Sequence, residues 1–486
     1  MKRVKPKLPA AAGAGSAHAR GTAKGHGPFK FLFIDDRWIA RTYGLHRRIG
    51  QARKHAANPL IIADRPWEGG LKLYGTVLKD GGRYRMWYQM VNFRESDVRW
   101  ATGVGYAESR DGLHWTKPLK GVEHPEHGPT NILATSAGRA HLCSPSVVKD
   151  RGEPARARRY KMMFYDAMSA EDLERHGSPF PMDASVPGWR AVEGEGMFVC
   201  TSPDGIEWDR PAFPAFAGPN DVAAMSQLPD GRLLASFKTS ERPDRHFRVI
   251  ETAESADGAQ WTRHGVVLEP DWRDRPGTEF YGMSAFEYFG NLIGLICVYH
   301  NSADDKSLDV QLATATSASH WQRAADRGTL IPRGERGEWD AGGIYVSSSP
   351  LLVSGPKGDE LRLYYSGISA RHDDMRYKEW SIGLATLRPD GFACLEAGYH
   401  PAELVTPPIA LPRGKLCINA QARHGIVMAS ILDAQSGETL ALSQPMREVD
   451  STHIKVGWQQ RKAIGSRPVI LVFGMRKAQL YSFWFE

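Results

Sequence analysis

The sequence predicts an all-β protein: a five-bladed β-propeller followed by a small antiparallel β-sandwich. Three observations predict it. The motif Ser-x-Asp-Gly-x-x-Trp recurs as SRDGLHW (109–115), SPDGIEW (202–208) and SADGAQW (255–261), and a worn copy, TSASHW, ends at Trp321. The repeated tryptophans lie 93, 53 and 60 residues apart, and a period near ~50 with insertions marks a propeller or a related array. The 14 Trp, 49 Gly and 31 Pro suit a turn-rich β chain better than a helical one.

Taken in order, the chain opens on a basic tail. Residues 1–27 are rich in Ala, Gly and Lys, show no apolar periodicity, and are expected to be disordered. The propeller is expected over 28–400. The apolar FLFI (31–34), which ends at Asp35-Asp36, reads as a strand that closes the ring, because closure leaves no sheet edge bare. Each repeat then holds an apolar strand, a turn and an aromatic strand, as in YGTVLKDGGRYRMWYQ (74–89), with counterparts at 144–166, 221–238, 279–300 and 343–367. A third strand follows (TGVGYAES, GMFVCTS, FRVIETAES, LDVQLATA, WSIGLATL), then the Asp-Gly turn, then Trp on a fourth strand. Four strands written five times make five blades.

The repeated turn is read as structural. Asp-Gly favours a two-residue hairpin because Gly accepts positive φ, and the Ser or Asp side chain can bond nearby backbone N–H groups. The Trp is expected to pack between blades. The motif is similar to the Asp-box of sialidases, which has one more residue between Asp and Gly. RPDGFACL, with Asp390-Gly391, reads as a fifth relative. Past Gly398 the pattern shifts to KLCINAQA, GIVMASILD, HIKVGW, PVILVFGM and AQLYSFWF, which predicts the sandwich over 401–486.

Composition narrows the partners. The net charge is +7, but residues 1–30 carry seven Lys and Arg and no acid, and the remaining chain has 55 residues of each sign. A neutral body argues against a nucleic-acid surface. No apolar run approaches the ~20 residues of a membrane span. The tail has the basic start of a secretory signal but lacks its apolar middle. The five Cys (143, 200, 297, 394, 417) are odd in number and widely spaced, which favours buried thiols and a reducing, cytoplasmic setting over disulfides or metal ligands.

Chain direction locates the chemistry. In a propeller the inner strand of each blade starts at the channel mouth and the next strand ends there. The starts supply Trp67-Glu68, Ser144, Asp221, Glu279 and Asp340; the ends supply Gln89, Asp166, Lys238, His300 and Ser366. Converging carboxylates are what glycosidic cleavage requires, one to protonate the leaving oxygen and one to attack or activate water. The candidate catalytic residues are therefore Glu279, Asp221, Asp340 and Glu68. The candidate carbohydrate-binding residues are Trp67, Gln89, Asp166, Lys238, Tyr281 and His300. Each also has a plainer reading: Glu279 as a rim ion pair with Arg275, Asp221 and Asp340 as turn residues, Trp67 as a blade-closing aromatic. No His pair lies at metal spacing, so neither metal nor cofactor is expected.

FLFIDDRWI (31–39), NPLIIADRPWEGG (58–70), RYRMWYQ, RYKMMFYD, EFYGM, RPDGF and AQLYSFWF together resemble the five-bladed propeller glycoside hydrolases of families 32 and 43. The resemblance is closest to a bacterial family 32-like group with a C-terminal β-sandwich, and it covers nearly the whole chain after the tail. It implies three essential acids and places Glu279 at the acid/base position. Phe280 and Tyr281 would shield Glu279 from water, and His300 would orient it. Blade 2 departs from the family, with Ser144 and Ser146 in CSPSVV where an Asp is expected. Three functions follow: a glycoside hydrolase, possessing a carboxylate pair and a furanoside-type substrate; a non-catalytic carbohydrate-binding propeller; or an inverting phosphorylase with Lys238, His300 and Arg85 around phosphate.

Overall fold

The computed structural model describes residues 27–180, 192–217, 221–239, 247–324, 326–355, 358–374 and 380–486. The tail expected to be disordered, up to residue 26, lies outside them. Among the described residues no helix is long and apolar enough to cross a membrane.

Five antiparallel strand repeats follow one another along the chain, and we number them as blades; the first three are separate antiparallel sheets, whereas the last two join into one nine-stranded sheet through a parallel bridge of Leu308 to Gly343. Blade 1 is built on Gly70–Asp80, Arg83–Val91 and Thr102–Ser109, with Ile132–Thr135 and Trp115–Thr116 outside. Blade 2 runs Cys143–Lys149, Tyr160–Ala167, Glu195–Ser202, Phe216–Ala217. Blade 3 runs Ala223–Gln227, Leu233–Thr239, Val249–Ser255, Thr262–Leu268. Blade 4 runs Thr278–Tyr288, Asn291–His300, Leu308–Ser317, His320–Arg323. Blade 5 comprises Gly343–Tyr345 and Leu351–Gly355, both paired to Gly358–Ile368, then Ser381–Leu387.

The inner strands pack against one another in a closed, propeller-like ring. Small hydroxyls tie them. Ser144 Oγ donates to Asp221 O at 2.6 Å and Ser236 Oγ to Met283 O at 2.6 Å. Gly75 N donates to Ser347 Oγ at 2.8 Å, joining blade 1 to blade 5. These short polar residues sit where strands converge, and their hydrogen bonds link neighbouring blades, as does the parallel bridge of Leu308 to Gly343.

Ring closure differs from the sequence expectation. The last strand of blade 5 is Arg53–Lys54, paired as Lys54 with Ala385 and Arg53 with Thr386. FLFI instead pairs with the C-terminal strand, Phe31 opposite Phe483. Its alternation explains why. Phe31 and Phe33 enter the C-terminal core, whereas Leu32 and Ile34 enter the core shared by blades 4 and 5. A strand apolar on both faces suits a seam between two bodies better than a ring edge.

The C-terminal region forms one twelve-stranded hydrogen-bonded sheet rather than the two separate sheets of a simple sandwich. The 18-residue strand Leu416–Asp433 runs through it, pairing with Met446–Lys455, Pro468–Arg476 and Ala478–Phe485. The sheet also recruits Lys30–Leu32, Arg41–Tyr43, Leu45–Ile49 and Ala393–Ala397. The twelve-stranded sheet therefore takes in strands that precede 401, three of them before residue 50.

Asp390 marks that joint. It has φ 61° and is buried, accepting from Lys30 Nζ (2.8 Å), Tyr288 Oη (2.8 Å), Asn419 Nδ2 (3.1 Å) and Ser482 Oγ (2.6 Å). RPDGF is thus a buried joint and not a fifth copy of the outer turn.

The true copies are turns, but longer than two residues: Ser109 pairs with Trp115 across five residues. Ser109 Oγ accepts from Gly112 N at 2.8 Å, and Asp111 Oδ1 accepts from Leu113 N and His114 N at 2.8 and 2.9 Å. The same bonds recur at Ser202/Asp204 and Ser255/Asp257. Each turn docks on the preceding blade. Trp87 Nε1 of blade 1 donates to Gly205 O at 2.8 Å, Thr252 of blade 3 to Ala318 O at 2.7 Å, and Tyr364 of blade 5 to Gly112 O at 2.9 Å. The motif recurs because the turn serves as a strut between neighbouring blades.

Candidate functional site at the channel mouth

Tyr281 is the hub. It lies just past the start of the inner strand of blade 4, where the pairing shifts register between Phe280 and Gly282. Lys238 Nζ sits 4.0 Å from its ring centroid and 2.6 Å from Asp221 Oδ1. Arg248 lies 5.3 Å from the same ring and 2.6 Å from Glu279 Oε2. Two carboxylates and two cations thus converge on one aromatic ring. Lys238 is fully buried, while the Asp221 side chain keeps 32% of its surface, which makes it the acid that opens to the channel.

Glu279 is held differently. Asn301 Nδ2 donates to its Oε1 at 2.5 Å and Arg248 takes Oε2, so both oxygens are engaged. The shielding expected from its aromatic neighbours is accompanied by an arginine that sequence reasoning missed.

More aromatic and basic groups surround this cluster. His372 packs edge-on at 4.8 Å to both Tyr281 and Tyr299, and its Nδ1 lies 3.4 Å from the Tyr345 hydroxyl. Burial, then the charges of Arg248, Lys238 and Lys72, push His372 down to about 3, so the imidazole is neutral at ordinary pH. Lys72 stands 4.5 Å over Trp380, and burial lowers its ammonium against the pull of Cys143 and Asp221. Burial raises the phenols of Tyr74 and Tyr345 well above the usual range. Gln89 bridges blades 1 and 2: its Oε1 accepts from Ser144 N at 3.3 Å and its Nε2 faces Cys143 Sγ at 3.4 Å. Ser144, at φ 57°, in turn holds the backbone of Asp221.

The remaining sequence candidates lie elsewhere. Asp340 is buried against the closing strand, 2.7 Å from Lys54 and accepting from the Tyr365 hydroxyl at 2.8 Å. Glu68 is fixed by Lys117 at 2.6 Å and the Tyr88 hydroxyl at 2.9 Å. Trp67 is in the core of blade 1, donating to Asn131 Oδ1 at 2.9 Å. Asp166 is buried with Arg210 at 2.6 Å. His300 pairs with Asp309 at 2.8 Å, on the face opposite Glu279. In the ladder Glu279 is opposite Tyr299, and His300 is opposite Thr278. The alternation of side chains therefore points to Tyr299 as the neighbour of Glu279. Asp35 and Asp36 bind Arg37 and Arg47 at the seam.

The missed residues are Lys72, Arg248, Tyr299, Tyr345, His372 and Trp380. Lys72 had a signal, a charge inside the apolar GLKLYG. Arg248 and His372 lie off the first two strands of their blades, where the strand-end rule does not reach.

No family model matches the chain. Two curated relatives, Uncharacterized protein MT1551 and Uncharacterized protein Rv1502 of two Mycobacterium tuberculosis strains, are each 31% identical over 128 residues, 24% of this chain. That match spans 38% of the relatives' length. Among solved structures, an N-acetylgalactosamine deacetylase from F. plautii in complex with blood group B trisaccharide aligns at TM-score 0.44 and 15% identity, covering 72% of this chain and 97% of that one. A structure from the GH130 family, described as mannoside phosphorylases containing glycoside hydrolases, aligns at 0.46 and 14%, covering 70% and 95%. A thermostable family-43 glycoside hydrolase aligns at 0.41 and 13%, covering 72% and 93%.

Proposed function

We propose that the protein cleaves a glycosidic bond at the channel mouth, with Asp221 and Glu279 as its working carboxylates. The observation that supports this reading is their convergence on Tyr281 through Lys238 and Arg248. Glycosidic cleavage uses two carboxyl groups flanking the bond. Asp221, the more open of the two, takes the part of nucleophile or base. Glu279 takes the part of proton donor, for which Arg248 and Asn301 must pass from the carboxylate to the substrate. Tyr281, Tyr299 and Trp380 form an aromatic wall behind Asp221, and Lys238 and Gln89 fix that wall from within, through Asp221 and through Cys143 and Ser144. The five buried thiols suit a reducing, cytoplasmic setting for this activity.

One observation favours a second reading, phosphorolysis. Lys238 and Arg248 flank the Tyr281 ring at 4.0 and 5.3 Å, and Lys72 stands 4.5 Å over Trp380, which joins Tyr281 through Tyr345, so three basic side chains border one aromatic cluster. A phosphate drawn to Arg248 would also open its pair with Glu279.

The test is a panel of aryl glycosides and plant and bacterial glycans, with and without inorganic phosphate, on wild type and Asp221→Asn. Turnover without phosphate that vanishes in the variant supports hydrolysis. Turnover that needs phosphate supports phosphorolysis. Glycan binding with no turnover in either buffer overturns both and leaves a binding propeller.

A further inference from the structure

Far along the chain from the channel residues, three side chains of different chemistry meet at the edge of the C-terminal sheet. Cys417 Sγ, a His453 ring nitrogen and a Glu486 carboxylate oxygen all lie within 4.8 Å of one another. They come from Leu416–Asp433, from Met446–Lys455, and from the residue that follows Ala478–Phe485. The register accounts for the shared face. Cys417 sits opposite Lys455 on one neighbouring strand and Trp484 on the other, and His453 and Glu486, each two residues from these partners, project from the same face as Cys417.

The group is held in place by its surroundings. Lys415 and Glu486 exchange backbone hydrogen bonds at 2.6 and 3.1 Å. Trp484 Nε1 donates to Glu486 Oε2 at 3.2 Å, which turns Oε1 toward His453 Nε2 at 2.8 Å. The His453 ring packs 5.3 Å from the Trp484 ring. The Cys417 thiol donates at 3.8 Å to the carbonyl of Lys415, the residue whose backbone pairs with Glu486.

We propose that Cys417, His453 and Glu486 form a binding site for a transition-metal dication, with zinc as its occupant. Sulfur, imidazole nitrogen and carboxylate oxygen form a donor set zinc accepts, whereas calcium and magnesium call for oxygen alone. Three protein ligands leave the fourth tetrahedral position to water. Bond lengths of about 2.0–2.3 Å place tetrahedral donors roughly 3.5 Å apart. Rotation of the exposed His453 and Glu486 side chains closes that gap. On binding, the thiol proton leaves to solvent, the proton of His453 moves to Nδ1, and Nε2 turns its lone pair to the metal. The Trp484 indole keeps its bond to the other carboxylate oxygen, as an outer partner that orients a ligand. Lys455, 3.4 Å from Oε1 with 62% of its side chain exposed, swings to water as the ion enters. The metal then clips three separate segments of the C-terminal region together.

The experiment uses the full chain, free of any histidine tag and stripped with chelator, titrated with zinc chloride by calorimetry. Wild type should bind one equivalent at micromolar zinc or below and melt at a higher temperature with zinc than without. Cys417→Ser and His453→Gln should each weaken binding at least ~100-fold, more than loss of an outer partner costs. Cobalt(II) in place of zinc should give a thiolate charge-transfer band that Cys417→Ser lacks. Absence of stoichiometric binding in wild type, or equal binding in wild type and both variants, overturns the site. His453 is on the surface, so its variant carries the test even where Cys417→Ser folds poorly.

Discussion

Arg248 Nη1 lies 2.6 Å from Glu279 Oε2, and this pair sets what Glu279 can do. A carboxylate bound by a guanidinium on one oxygen and by Asn301 on the other has no free oxygen to present to a leaving group until substrate redirects those donors. Under the proposed function, substrate binding and acid catalysis would be coupled at this residue.

The coupling is testable on Glu279. Glu279→Gln keeps the shape and removes the proton, and loss of general acid catalysis costs about 10²–10⁴-fold in rate. The loss should be smaller for an aryl glycoside with a very acidic leaving group than for a natural-type glycoside. Arg248→Met should raise KM and lower kcat together. Equal, near-wild-type kcat on both substrates in Glu279→Gln, with unchanged melting, would reassign the proton donor.

Lys54 and Asp340 lie 2.7 Å apart with Asp340 buried, and they join the closing strand to blade 5. Breaking a buried pair on one side typically costs about 3–5 kcal/mol. Asp340→Asn should fall at the low end of that range, because Tyr365 still donates to the site and the Lys54 side chain keeps 23% of its surface. Denaturant unfolding reads the loss, and kcat per folded molecule should stay at the wild-type value. An inactive but well-folded Asp340→Asn would return this residue to the catalytic set.

Asp111, Asp204 and Asp257 accept two backbone N–H bonds each in their turns. Replacing each by Ala should cost about 1 kcal/mol, the scale of a lost cap. Specificity should not change. Tyr364→Phe, which loses the strut to Gly112, should destabilise by a similar amount and identify the docking contact as the cause.

His372 links pH to stability. Its folded value of about 3 lies below the unfolded value near ~6.5, so the unfolded chain binds the proton more readily. The contribution is complete above the unfolded value and is lost as pH falls toward the folded one. Partial exposure of the residue discounts the full shift. Between pH 7 and 5, wild type should lose no more than about 1 kcal/mol relative to His372→Gln, read by unfolding at both pH values. Identical pH slopes would show that His372 is not held neutral.

Much of the propeller was legible because its signals are local. The strand pairs of blades 1 to 4, the Ser-Asp-Gly turns and the inward positions of Asp221, Lys238, Glu279 and Tyr281 all follow from period-2 alternation and turn chemistry. Asp340 and Glu68 satisfied the same strand-start rule but are spent on Lys54 and Lys117, partners distant in sequence. His300 was one residue out: a strand reverses face at every position, so a ladder register decides between it and Tyr299.

The sequence by itself determined the β class, the repeat and the turn chemistry, and it singled out Asp221, Lys238, Glu279 and Tyr281, whose side chains the fold brings together. These depend on neighbours within a few positions, where backbone geometry leaves little choice. Only the tertiary structure decided which strand closes the ring, that Asp390 is a joint, and that Arg248, His372 and Lys72 join the same cluster as Asp221. Those outcomes depend on contacts across hundreds of residues. Phe31 and Leu32 show the reason: either face of FLFI could bury itself equally well, and the choice of partner belongs to the assembled cores and not to the strand.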